Sequence, residues 1–141
     1  MRRMSRWTRE VRFVAAIAAA TLTLSACHDT TVPRVATTVT AVSGNDQTLA
    51  PGTQITSPLI VSVLDQDGAE MPGVTVTWAI ANGEGTLSVT TTTTDDTGMA
   101  TNTSFSSGAD AGSTVITATA GSLTPIQFTV VVAAPADSGG M

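Results

Sequence analysis

Hydrophobic and polar residues alternate without a break along residues 72–80, the most regular stretch of the chain. Valines, a tryptophan and an isoleucine take one set of alternate positions, and two threonines and an alanine take the other. A period of two predicts a strand with one buried face, because successive side chains of a strand point to opposite sides of the sheet. Trp78 is the largest side chain here, so we expect it at the centre of the core. The predicted core residues are Val74, Val76, Trp78 and Phe128.

Similar short segments recur along the chain and are separated by clusters of Gly, Pro, Asn and Asp, which favour turns. We expect the segment at 59–64 to pair antiparallel with the Trp78 strand. Five successive threonines favour extended backbone, because their Cβ atoms are branched. The segment at 99–105 does not assign to one face, which indicates a bulge or an edge strand. The other predicted strands lie at 35–42, 86–94, 114–120 and 126–132.

About seven short strands over roughly one hundred residues indicate an all-β fold, an immunoglobulin-like β-sandwich. We assign this domain to residues 35–133. Residues 134–141 offer nothing to pack and are predicted to be a disordered tail.

The first 26 residues predict a lipoprotein signal peptide. Arginines are concentrated in residues 1–12, and the uncharged run at 13–24 is too short to span a membrane comfortably. The run ends in a sequence that resembles the bacterial lipobox, made of Leu24, Ser25, Ala26 and Cys27. The resemblance implies cleavage before Cys27 and lipid on its sulfur and its new amine, which makes anchoring effectively permanent. The alternative is an ordinary signal peptide with Cys27 as a free thiol.

Residues 27–34 are predicted to be the lipidated cysteine and a short polar tether. In Gram-negative lipoproteins, Asp directly after the lipidated cysteine usually signals retention in the inner membrane. Here that position is His28, so the resemblance implies an outer-membrane location, although Asp29 follows at the next position.

Charge changes sharply along the chain. Past residue 27 there are ten acidic residues against Arg34 alone, so the net charge is 1 − 10 = −9. Such a surface should repel nucleic acid and anionic headgroups, so we expect no nucleic acid partner. Residues 35–133 contain no His, Cys, Lys or Tyr, the usual bases, thiol nucleophiles and Schiff-base amines. We therefore predict no enzymatic activity and no cofactor.

Two acidic turns are the remaining candidates for chemistry. Asp65 and Asp67 precede Gly68 as in the first half of a calcium loop, and they are weak metal candidates. Val76 occupies the twelfth position, where such a loop has its bidentate acid, so we interpret the segment as a turn. Asp95 and Asp96 form the second turn. The alternative hypothesis is a small carbohydrate- or calcium-binding module that uses the turns 65–70 and 95–98.

Five segments carry a further signal: LIVSVLDQDG at 59–68, PGVTVTW at 72–78, GTLS at 85–88, TTDDTGMAT at 93–101 and TVITATA at 114–120. Together they resemble a known family, the Big-1-type bacterial immunoglobulin-like domains of invasin and intimin. The resemblance spans residues 36–132 and implies the same sandwich, used as a stalk or spacer module. We therefore expect a non-catalytic, lipid-anchored module of the cell envelope with a structural or protein-interaction role. Its expected partners are the membrane, through the lipid on Cys27, and other envelope or surface proteins.

Overall fold

The computed structural model describes residues 32–136, which fold into a β-sandwich. Ten strands and no helix occur in this range. The predicted all-β, immunoglobulin-like class is confirmed. The strands are β1 (Ala36–Ser43), β2 (Gln47–Leu49), β3 (Leu59–Asp65), β4 (Thr75–Asn82), β5 (Gly85–Leu87), β6 (Thr91–Thr93), β7 (Met99–Asn102), β8 (Phe105–Ser107), β9 (Gly112–Ala120) and β10 (Ile126–Val132).

The strands form two facing layers and a small third sheet. One sheet has three strands in the order β1-β3-β7, and the other has five in the order β2-β10-β9-β4-β6. Strands β5 and β8 pair separately. The count exceeds the expected seven because the predicted strands at 86–94 and 99–105 are each divided into two, and because β2 is an additional short strand. The chain also changes sheet between β1 and β2, and β2 then pairs parallel with β10.

The expected pairing of β3 with the Trp78 strand is wrong. Strand β3 pairs with β1 and β7, whereas β4 pairs with β6 and β9. Residues 66–74 carry the chain from one sheet to the other, so β3 and β4 lie in opposite layers of the sandwich. Alternation identifies the buried face of each strand. The same pattern is expected whether two such strands are neighbours in one sheet or lie in the two opposite sheets.

The irregular segment at 99–105 contains a real break. Ala100 and Asn102 are buried on β7, and Phe105 and Ser107 are buried on β8, so the buried parity changes between the two strands. The side chain of Asn102 fixes this turn by accepting the N–H of Ser104 at 2.8 Å and by donating to the carbonyl of Val89 at 2.9 Å. Strand β7 forms an edge of its sheet.

The core centres on an aromatic pair. The rings of Trp78 and Phe128 lie 5.9 Å apart between centroids and are tilted by 38°. Trp78 is 1% exposed, and its indole Nε1–H donates to the hydroxyl of Thr92 at 2.8 Å. Val76 is fully buried beside them, whereas Val74 precedes β4 and is half-buried at the margin of the core. The remaining core residues include Val61 and Val63 of β3 and Ile116 and Ala118 of β9.

Candidate functional site

The turn after β3 is built around the carboxylate of Asp65, whose side chain is 2% exposed. Its Oδ1 accepts the backbone N–H groups of Asp67 and Ala69, both at 2.9 Å. Its Oδ2 accepts the Nε–H of Arg34 at 2.7 Å. Hydrogen bonds from Arg34 and then from Ala69 hold the pKa of Asp65 below its ordinary value, because they stabilise the charged form. Both oxygens of Asp65 therefore already have donors from this chain.

Arg34 fastens the chain that precedes β1 to the same turn. Its guanidinium also donates to the carbonyl of Glu70, and the N–H of Val35 donates to the side-chain oxygen of Gln66 at 2.8 Å. We call these contacts the Arg34 clamp. Arg34 was assigned to the tether from its sequence, and its contacts with the domain were missed. The sequence contains a signal for these contacts, because Arg34 is the one basic residue between 32 and 136, a range that contains eight acidic residues.

The second acidic turn, at 95–98, has the same construction. The Oδ1 of Asp95 accepts the hydroxyl of Thr97 at 2.6 Å and the backbone N–H groups of Thr97 and Met99 at 2.8 and 3.1 Å. These bonds, that from the Thr97 hydroxyl first, lower the pKa of Asp95. Both turns flank β3, since the N–H of Val63 donates to Gly98 and its carbonyl accepts from Met71. We call the two turns, 65–71 and 95–98, the acidic pole.

The carboxylates of the acidic pole are arranged to stabilise the two turns and not to bind calcium. A cation at Asp65 would have to displace two backbone N–H donors and a guanidinium. Asp67 and Asp96 are exposed and lie on different turns. Within residues 32–136, no group of three or more His, Cys, Asp or Glu side chains is placed to hold a metal ion. The carboxylates of Asp65 and Asp95 accept backbone N–H groups of their own turns and thereby stabilise the turn conformations.

A shallow cleft lies near the other end of the sandwich, where β4 leads into β5 and β9 begins. It has a volume of about 250 Å³ and is lined by Gly83, Glu84 and residues 110–114. The hydroxyl of Thr114 donates to the carbonyl of Glu84 at 2.8 Å and thereby joins the two walls. The cleft presents the carboxylates of Glu84 and Asp110, but no nucleophile with an adjacent base.

The strand edges of both sheets are unsuited to pairing with another chain. Strands β2 and β6 have three residues each, and β7 has four. The long edge strand β1 is interrupted by register shifts near each end, between Ala36 and Thr38 and between Ala41 and Ser43. Short and irregular edges hinder the addition of a further strand.

The predicted lipobox, Leu24 to Cys27, and the predicted signal peptide lie outside the described residues, as does most of the predicted tail. Residues 32–136 contain no helix long and apolar enough to cross a membrane.

Comparison with known proteins gives similarity in structure. No family model matches the chain. No curated protein matches it either. The D00-D0 domain of intimin has 21% identity and a TM-score of 0.51, covering 70% of this chain and 46% of that one. The D0-D1 domain of intimin has 20% identity and a TM-score of 0.52, with coverage of 70% and 49%.

A surface layer protein is similar as well. Domains 4–9 of SbsC have 21% identity and a TM-score of 0.52, covering 74% of this chain and 15% of that one. This chain thus spans less than half the length of each of these three structures. At these identities the likeness concerns the fold alone. The class that the fold defines is an immunoglobulin-like β-sandwich, similar in structure to domains of intimin.

Proposed function

We propose that this protein is a non-catalytic, lipid-anchored module of the cell envelope with a structural or protein-interaction role. The observation that carries the proposal is that Asp65 and Asp95, the candidate ligand groups, are hydrogen-bonded to the chain's own donors. These carboxylates stabilise turns of an immunoglobulin-like sandwich. One of the similar structures is a surface layer protein by name, which supports the envelope assignment.

The anchor in this proposal is lipid on Cys27, and the Arg34 clamp determines where the tether ends. Between Cys27 and Arg34 there are six residues, which reach about 20 Å when extended at about 3.3 Å each. The clamp attaches the tether to the acidic pole, so this pole faces the membrane. Its carboxylates repel anionic headgroups and keep the domain clear of the bilayer surface. His28 after Cys27 favours the outer membrane.

The test is to express the full chain and its Cys27→Ser variant in Gram-negative cells supplied with a labelled fatty acid. The wild-type protein is expected to carry label and to sediment with the outer membrane on a density gradient. Cys27→Ser is expected to lose the label, because no thiol is left to accept lipid. Ser25→Ala keeps a small residue in the lipobox and serves as the matched control. An unlabelled wild-type protein outside the membrane fraction would refute the anchor.

A further inference from the structure

The outer side of the five-stranded sheet is an uncharged surface rich in threonine. Strands β2, β4, β6, β9 and β10 contain no charged residue. On the side away from the core, Thr91, Thr77 and Thr119 lie opposite one another on three neighbouring strands, and Thr93 lies opposite Thr75. We call this surface, formed by the outward residues of the five strands, the hydroxyl face. Val131 on β10 adds an apolar side chain that is 42% exposed.

The charged groups of the domain are elsewhere. Residues 32–136 carry eight acidic residues and one arginine, a net charge of 1 − 8 = −7. All lie in turns and connections except Asp65, which ends β3 of the other sheet and points inward. Two copies of such an acidic domain repel each other wherever these turns meet. The hydroxyl face is a broad surface without charged residues. Contact between two copies through this face brings no like charges together and removes no charged group from water.

The area of the hydroxyl face suits a weak pair. Strand spacing and rise give roughly 450–500 Å² for five strands, and roughly 300 Å² for the smaller three-stranded sheet. Two hydroxyl faces together would bury roughly 1,000 Å², which is at the lower limit of specific interfaces. Threonine and valine are stiff at χ1, so ordering them costs little entropy. A contact of this size is weak in dilute solution and strengthens when the copies are concentrated on one surface.

We infer that the hydroxyl face binds the hydroxyl face of a second copy of this chain on the same membrane. This inference rests on the proposed lipid anchor. The anchor confines all copies to one plane, and an identical tether and clamp limit their faces to the same maximum distance from the membrane. A two-fold axis along the membrane normal then brings face against face with the acidic poles side by side. The repulsion between these poles is screened by salt, so pairing increases with ionic strength.

Single-cysteine crosslinking of the full chain in native membranes tests the pairing. Thr117→Cys lies on the central strand of the face, and Thr101→Cys is an exposed control on the other sheet. With a short bismaleimide, Thr117→Cys is expected to give at least about threefold more dimer than Thr101→Cys at equal surface density. Adding Thr77→Glu is expected to reduce this dimer to the control level, because it places two like charges in the interface. Thr101→Glu is expected to leave it unchanged.

The wild-type chain separates failure of the anchor from failure of the pairing. Cys27 is its only cysteine, so a lipidated wild-type protein has no thiol to react. Crosslinking of the wild type would show that Cys27 is free and would refute the anchor. With Cys27 lipidated, equal dimer yields from Thr117→Cys and Thr101→Cys would overturn the pairing. Insensitivity of the Thr117→Cys dimer to Thr77→Glu would overturn it as well.

Discussion

Trp78 is the side chain on which the core of the domain depends most. It packs against Phe128 and is held in orientation by its hydrogen bond to Thr92 on the neighbouring strand β6. Its neighbour Thr77 points away from the core and is exposed. The side chains of these two adjacent residues therefore lie on opposite sides of strand β4.

We expect Trp78→Ala to destabilise the domain by about 3–5 kcal/mol, as large aromatic truncations in a core do. Thr77→Ala should change the free energy of unfolding by less than about 0.5 kcal/mol, because it alters an exposed position. Chemical denaturation of both variants measures the difference. Similar losses for the two would contradict the assignment of Trp78 to the core and Thr77 to the surface.

The lowered pKa of Asp65 makes the acid side of the stability profile depend on the Arg34 clamp. A carboxylate whose pKa is lower in the folded state stabilises the fold above its unfolded value, about 3.9, and loses this effect as pH falls through the folded value. Asp65→Asn should therefore lower the urea midpoint at pH 7, and the difference from wild type should narrow as the pH falls below about 3.9. Asp67→Asn, at an exposed position, is the control. A difference that stays constant with pH would argue against ionic stabilisation.

At the scale of elements, close approaches between backbones fix how strands meet. Gly83 lies between β4 and β5 at φ 88°, and a Cβ there would lie 2.5 Å from the carbonyl oxygen of Ser113 on β9. Gly52 has φ 69°, but a Cβ there would meet nothing within 4 Å. Both positions require the left-handed region, and only Gly83 also requires the absence of a side chain.

Gly52→Ala should cost about 1–2 kcal/mol, the price of the left-handed conformation alone. Gly83→Ala should cost about 2–5 kcal/mol, because the backbone must also move away from β9. Thermal melts of the two variants compare these effects directly. Equal changes in melting temperature would show that the approach of Gly83 to β9 is not a constraint.

The positions of the strands could be predicted from the sequence better than the pairing between strands. Alternation identified the buried side of β4, and turn residues placed the connections on either side of β3. Alternation did not reveal that β3 and β4 belong to opposite sheets, because it carries no information about which strand lies alongside. The contacts of Arg34 were missed for a related reason: Arg34 and Asp65 are far apart in sequence, and only the pairing of β1 with β3 brings them together. The parity change between Ala100 and Phe105 was visible as an ambiguity, which Asn102 explains.

On the scale of the whole domain, residues 32–136, every charged residue except Asp65 lies outside the strands. The acidic pole gathers five carboxylates near the clamp, and Asp46, Glu84 and Asp110 lie in other connections. In the proposed arrangement this leaves the hydroxyl face uncharged while the acidic pole faces the membrane. A structural module and a ligand-binding module would differ most in whether the acidic pole binds calcium.

A thermal melt of the purified protein with millimolar calcium and with chelator distinguishes these two functions. If Asp65 and Asp95 serve the turns, as their hydrogen bonds indicate, the melting temperature should be the same in both. A calcium site would instead stabilise the native state by about 2.7 kcal/mol at one hundred times Kd. For a domain of this size that is more than about ten degrees. A rise of this order that Asp67→Asn abolishes would contradict the structural role of the acidic pole.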